Sequence, residues 1–133
     1  MLKRPDSETL KKIINFTAFA KKMIAKHHIS EQVFYNDATY QLAATQIMGQ
    51  IGELVKRLSD DFIKENPNVP WKAIARNRDV VVHHYSKLDP IKLWETMKKD
   101  FPVLEKECQS ILRKNNIYHS PQDINQYISK LSR

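Results

Sequence analysis

Tyr40, Ala44, Ile47, Ile51, Leu54, Leu58 and Phe62 fall three or four residues apart, a spacing that keeps all seven on one face of a helix for about six turns. A chain that commits so long a stretch to the helical period has to bury that face against other helices, so the repeat predicts an all-α bundle. The composition agrees, with only two glycines among 133 residues and abundant Lys, Glu, Leu, Ile and Ala. Gly49 and Gly52 lie inside the repeat, where each should cost up to about 1 kcal/mol relative to Ala. That cost suggests close packing against the backbone at both positions. At this length one domain with a real core is expected, residues 1–133, and two are not.

The remaining apolar periods place the other helices. Leu10, Ile13, Phe16, Ala20, Met23 and Ile24 predict a first helix over about residues 7–26, with Ser7 as its cap. After a short helical turn, Asn36 or Asp37 is expected to cap the long second helix, which should run to the neighbourhood of Pro67. Pro70 can start a third helix, and Asp89 with Pro90 reads as the cap and first position of a fourth. On that fourth helix Ile91, Trp94, Met97, Phe101, Leu104, Cys108 and Ile111 keep period straight across Pro102. A kinked helix and two helices stacked nearly end to end at Asp100 both satisfy the pattern. Ser120 to Asp123, SPQD, reads as the cap and acidic first turn of a short terminal helix ending at Leu131. The expectation is an antiparallel bundle of four principal helices with a short C-terminal one.

No apolar run reaches membrane-spanning length and the N-terminus breaks into charged helix within a few residues, which predicts a cytoplasmic protein. The single cysteine, Cys108, has no internal disulfide partner, and no Cys/His cluster has zinc-ligand spacing. The formal charge is +7, and residues 1–30 carry seven basic and two acidic side chains. Such a balance draws a chain to polyanions such as RNA, because neutralising phosphates releases counterions.

The third helix carries the stretch Arg76 to Tyr85, RNRDVVVHHY. Trp71, Ile74, Arg78, Val81 and Tyr85 form one stripe on it, so Arg78 stands where an apolar residue is expected, a costly place unless it is paired or lines a cavity. Asp79 and His83 are four apart and therefore neighbours, with the carboxylate suited to orient the imidazole. His titrates near neutral pH and Arg presents a planar donor fork, so the pair suits phosphodiester cleavage without a metal or other cofactor. Arg78 and His83 nevertheless lie about 140° apart on a regular helix. Convergence on one phosphate needs a distorted helix end or a second subunit, and a two-fold dimer would supply two of each residue. From spacing alone, such a pair is more often a structural hydrogen-bonding arrangement than a catalytic one. His84 reads as a surface or supporting residue, and His27, His28 and His119 as ordinary exposed or capping residues. Trp71 and Trp94 sit in apolar stripes and read as core.

RDVVVHHY, residues 78–85, resembles the R-x4-H-x-Y signature of the HEPN superfamily, in particular the HepT-like toxins of two-gene toxin–antitoxin modules. Its flanks agree: QIGELVKRLSDDF, NPNVPWKAIARNRD and HHYSKLDPIKLWETMKKDFPVL are similar to the family's segments around the motif. The resemblance covers about residues 7–113, leaving 114–133 as an extension with no assigned role. It implies a homodimeric, metal-independent endoribonuclease whose groove lies at the dimer interface, with Arg78 and His83 catalytic and Asp79 supporting them. Arg76 and His84 are further supporting residues, Arg76 as an aid to RNA binding. In the family the motif tyrosine is modified with AMP by a minimal nucleotidyltransferase antitoxin, which implies that role for Tyr85, about 20° from Arg78 on a regular helix. The alternative is a HEPN-like module that binds nucleotide or a partner and cuts nothing.

Overall fold

The computed structural model describes residues 2–76 and 89–127. These residues form helices and connections with no strand among them. In chain order they are α1 (Arg4–Lys26), α2 (Glu31–Tyr35), α3 (Ala38–Lys56), α4 (Asp60–Glu65), a helical run at 71–76, α5 (Pro90–Glu95), a π-helical turn (Thr96–Asp100) and α6 (Phe101–Lys114). The all-α expectation is met. α1 packs against both α3 and α6, and α2, α3 and α5 pack together beside them. Leu10, Ile13, Ile14, Phe34, Ala44, Cys108 and Leu112 are fully buried in the core these helices share.

Several helix ends differ from the sequence expectation. α1 starts at Arg4 with Pro5 in its first turn, and Ser7 lies inside the helix, its hydroxyl donating 2.8 Å to the Arg4 carbonyl. Pro at the helix start needs no hydrogen-bonded N–H, so the helix extends one turn beyond the expected cap. Ser7, Thr9 and Thr17 are buried, and each hydroxyl bonds back to a carbonyl of its own helix. Asp37 does cap α3, accepting from Thr39 N–H at 2.9 Å.

The expected long second helix is two helices. α3 ends at Lys56, and α4 opens at Asp60 with Ser59 as its cap, the hydroxyl oxygen accepting from Phe62 N–H. The break is held from the other side of the core: buried Asp6 accepts from Ser59 N–H at 2.9 Å and from its hydroxyl at 2.7 Å. Leu58 and Phe62 remain buried through it, which is why the apolar repeat runs on unbroken. Inside α3, a Cβ added at Gly49 would meet nothing within 4 Å, so the close packing expected there is absent; Gly52 is buried.

Across Pro102 the chain stays helical by way of one turn wider than an α-helix. A π-helical turn precedes α6, and Phe101 N–H bonds five residues back to Thr96 C=O. Proline lacks the donor and its ring crowds the carbonyl four residues earlier, so one wide turn lets the helix continue with its apolar face intact. Met97, Phe101, Leu104 and Cys108 are all buried along it.

α1 and α6 end alike. His28 (φ 50°) and Asn116 (φ 61°) take the left-handed conformation, while Ile29 N–H bonds Ile24 C=O at 3.0 Å and Ile117 N–H bonds Leu112 C=O at 2.9 Å. These are Schellman closures in which glycine usually occupies the left-handed position. The glycine-poor chain uses His and Asn instead.

Candidate active site and the C-terminal arm

Packed residues flank the signature stretch in the sequence. On its N-terminal side Trp71 is 2% exposed, stacks obliquely on Phe62 at 5.4 Å and donates its indole N–H to Asn66 C=O at 2.9 Å. Asn66 in turn donates its side-chain amide to Phe62 C=O. The helical run at 71–76 grows directly from this anchor, with Ile74 N–H bonded to Pro70 C=O. On the C-terminal side Asp89 caps α5 as expected, accepting from Ile91 N–H at 2.9 Å with Pro90 in first position. Trp94 on α5 is buried against Phe34, 5.4 Å between rings, and Lys98 sits over its face at 5.7 Å. Both tryptophans are core residues.

Arg76 is helical and exposed. Arg78, Asp79, His83, His84 and Tyr85 lie outside the described residues. Near the C-terminal anchor the sequence reading missed Tyr35, whose phenol is held above its ordinary range by partial burial and by the carboxylates of Glu31, Glu95 and Asp89. Burial pushes the Cys108 thiol well up, so it stays protonated and packs as a small apolar group.

The residues after α6, 115–127, form an arm folded back over α1. Its hub is Asn15, a side chain only 1% exposed in the middle of α1. Asn15 Oδ1 accepts from Gln122 N–H at 2.8 Å and meets His119 Nε2 at 2.8 Å, while Nδ2 donates to the Tyr127 hydroxyl at 2.7 Å. With Oδ1 an acceptor, His119 carries its proton on Nε2. Tyr127 stacks on Phe16, Ile124 is buried, and Gln109 on α6 donates to His119 C=O. His119 is thus an anchored residue and not an ordinary exposed one. Burial and the Lys11 charge hold its pKa below the usual histidine value, against a smaller opposite pull from Glu8 and a Lys11 backbone hydrogen bond. The expected cap is also displaced: Ser120 and Pro121 belong to the non-helical arm, and Asp123 accepts from Asn125 N–H where the helical turn at 125–127 begins.

Between the arm and the C-terminal half of α1 lies a groove of 380 Å³. Phe19 and Met23 line its apolar side, Lys22, Lys26 and His27 its basic side, and Gln122, Asp123 and Asn125 the opposite wall. Among the described residues no group of His, Cys, Asp or Glu is placed to hold a metal ion, and no helix is long and apolar enough to cross a membrane.

An all-α chain with this helix order, whose signature lies in the sequence between a buried tryptophan and a capped proline, falls in the class of HEPN-type bundles. The family model described as Ribonuclease HepT-like matches residues 7–111, and the chain belongs to that family. A Methanocaldococcus jannaschii protein named "Putative RNase" is 34% identical over 106 residues, 80% of each chain. A "Putative RNase" of Caldanaerobacter subterraneus is 38% identical over 86 residues, 65% of this chain and 77% of its own. "Probable ribonuclease HepT" of Thermococcus cleftensis is 35% identical over 78 residues, 59% of this chain and 71% of its own. No solved structure gives a significant match. The arm lies beyond the residues that the family model matches.

Proposed function

We propose that the protein is a metal-independent endoribonuclease, the toxin of a cytoplasmic toxin–antitoxin pair, acting as a homodimer. The observation that carries this reading is membership of the HepT-like ribonuclease family together with a complete R-x4-H-x-Y signature at Arg78, His83 and Tyr85. In the mechanism, the ribose 2′-OH attacks the adjacent phosphorus as an imidazole takes its proton. The P–O5′ bond breaks and the 5′ oxygen leaves with a proton from a second imidazole. The products carry a 2′,3′-cyclic phosphate and a 5′-OH. A two-fold dimer supplies the two His83 side chains and closes the angular gap between Arg78 and His83. Arg78 stabilises the charge building on the phosphoryl oxygens, and Asp79 orients His83. Arg76 and His84 support RNA binding around them.

Silencing follows the same chemistry. A partner nucleotidyltransferase adds AMP to Tyr85, placing negative charge and bulk on the same helical face as Arg78, which excludes RNA by repulsion and by volume. Co-expression with such a partner tests this. AMP mapped to Tyr85 by mass spectrometry, with loss of RNA cleavage, is expected; modification at another residue would contradict the role given to Tyr85.

A further inference from the structure

The groove between α1 and the arm has a composition the fold does not require. Lys22 and Lys26 are four residues apart, hence neighbours on one helix face, and both are exposed. Neither makes an ion pair with a described residue. They stand with His27 above the half-buried side chains of Phe19 and Met23. The one carboxylate in the groove, Asp123, is engaged by the backbone and side-chain N–H groups of Asn125. Cations beside an apolar and aromatic surface, in a channel of this size, are what a nucleic-acid strand needs: phosphates pair with the lysines and a base rests on the ring.

We propose that this groove binds a single strand of RNA, as an exosite for the substrate of the ribonuclease described above; the inference rests on that reading for the identity of the ligand. One wall is made by residues 121–125, and that wall of the site therefore lies outside the span the family model covers. The C-terminal end of α1 carries the negative end of its helix dipole, so an anion is held there only through the side chains. Removing the two lysines should remove the site. The arm positions the groove through Asn15 and takes no part in bond breaking.

The test uses the full-length His83→Ala protein, so that binding is measured without cleavage, and a fluorescein-labelled single-stranded RNA about twelve nucleotides long. Lys22→Ala/Lys26→Ala is compared with Lys64→Ala/Lys114→Ala, which removes the same charge from exposed positions that do not line the groove. Alanine keeps the helix, and circular dichroism checks that it does. Losing two phosphate contacts should lower the salt slope by about 1.4 and weaken binding by about 25-fold at 0.1 M salt. The control pair should change both far less. Equal losses in the two pairs, or no loss in the groove pair, would overturn the exosite. Cleavage is assayed separately on protein with His83 intact: if that fails while the groove pair still loses binding, the ribonuclease reading falls and the groove stands.

Discussion

Asn15→Ala should release the arm without unfolding the bundle. The side chain makes three hydrogen bonds, to Tyr127, His119 and Gln122, and all of them end on the arm. At about 1 kcal/mol net for each, the substitution removes about 3 kcal/mol of arm docking. Water reaches the freed groups once the arm lifts, so the penalty is confined to docking and not multiplied by buried unpaired atoms. Because 1.4 kcal/mol is a factor of ten, amide hydrogens bonded within residues 117–127 should exchange about a hundredfold faster. Amides of α1 and α6 should keep their protection. Hydrogen exchange read by mass spectrometry on peptides from both regions checks this. Unchanged exchange in the arm, or equal acceleration throughout the bundle, would contradict the role of Asn15 as its anchor.

The arm should also respond to pH. His119 has a folded-state pKa below the ordinary value, so the docked arm binds the proton less readily than the free arm does. Docking is therefore fully favoured above the ordinary pKa near 6.5 and weakens as pH falls from there toward the lowered folded value. Arm exchange at pH 5.5, corrected for intrinsic rates, should exceed that at pH 7.5, and His119→Gln should remove most of the difference; the same pH dependence in that variant would refute it. Gly49→Ala should stabilise the protein by about 0.5–1 kcal/mol, since the added methyl meets open space inside a helix. His28→Gly should give a gain of similar sign, about 1 kcal/mol, by relieving the left-handed backbone at the end of α1. Urea unfolding measures both, and destabilisation by either would contradict the local geometry. Ser59→Ala should cost about 2–4 kcal/mol, because it removes the α4 cap and a hydroxyl bonded to buried Asp6 at once; a cost under about 0.5 kcal/mol in the same assay would show that the break needs neither.

Much of the helix pattern was legible because it rests on local periods. The apolar face of α3 and the Asp89–Pro90 start of α5 follow from spacings and caps within a few residues. The break at Ser59 was not read, although a serine followed by Asp60 and Asp61 is an ordinary helix start, because Leu58 and Phe62 stay in phase across it. The π-turn was hidden for a related reason: widening one turn before Pro102 leaves the apolar face facing the core, so the pattern carries no mark of it. The arm was illegible locally. Asn15 meets its partners across more than a hundred residues of chain. The one available signal was a polar amide beside the apolar run at Ile13 and Ile14. For the signature itself, resemblance carried the reading where spacing alone favoured a structural pair, and its residues lie outside those described.

The most direct measurement is the chemistry of the cut ends. Purified protein is incubated with single-stranded RNA in EDTA, and the products of wild type, Arg78→Ala and His83→Ala are compared by mass spectrometry. Wild type should cleave with no added metal and leave 2′,3′-cyclic phosphate and 5′-OH ends, from attack of the 2′-OH on the adjacent phosphorus. Both variants should lose at least a hundredfold in rate, in keeping with the usual worth of one acid–base or charge-stabilising group. Cleavage by His83→Ala at the wild-type rate, or ends bearing a 5′-phosphate, would contradict the mechanism.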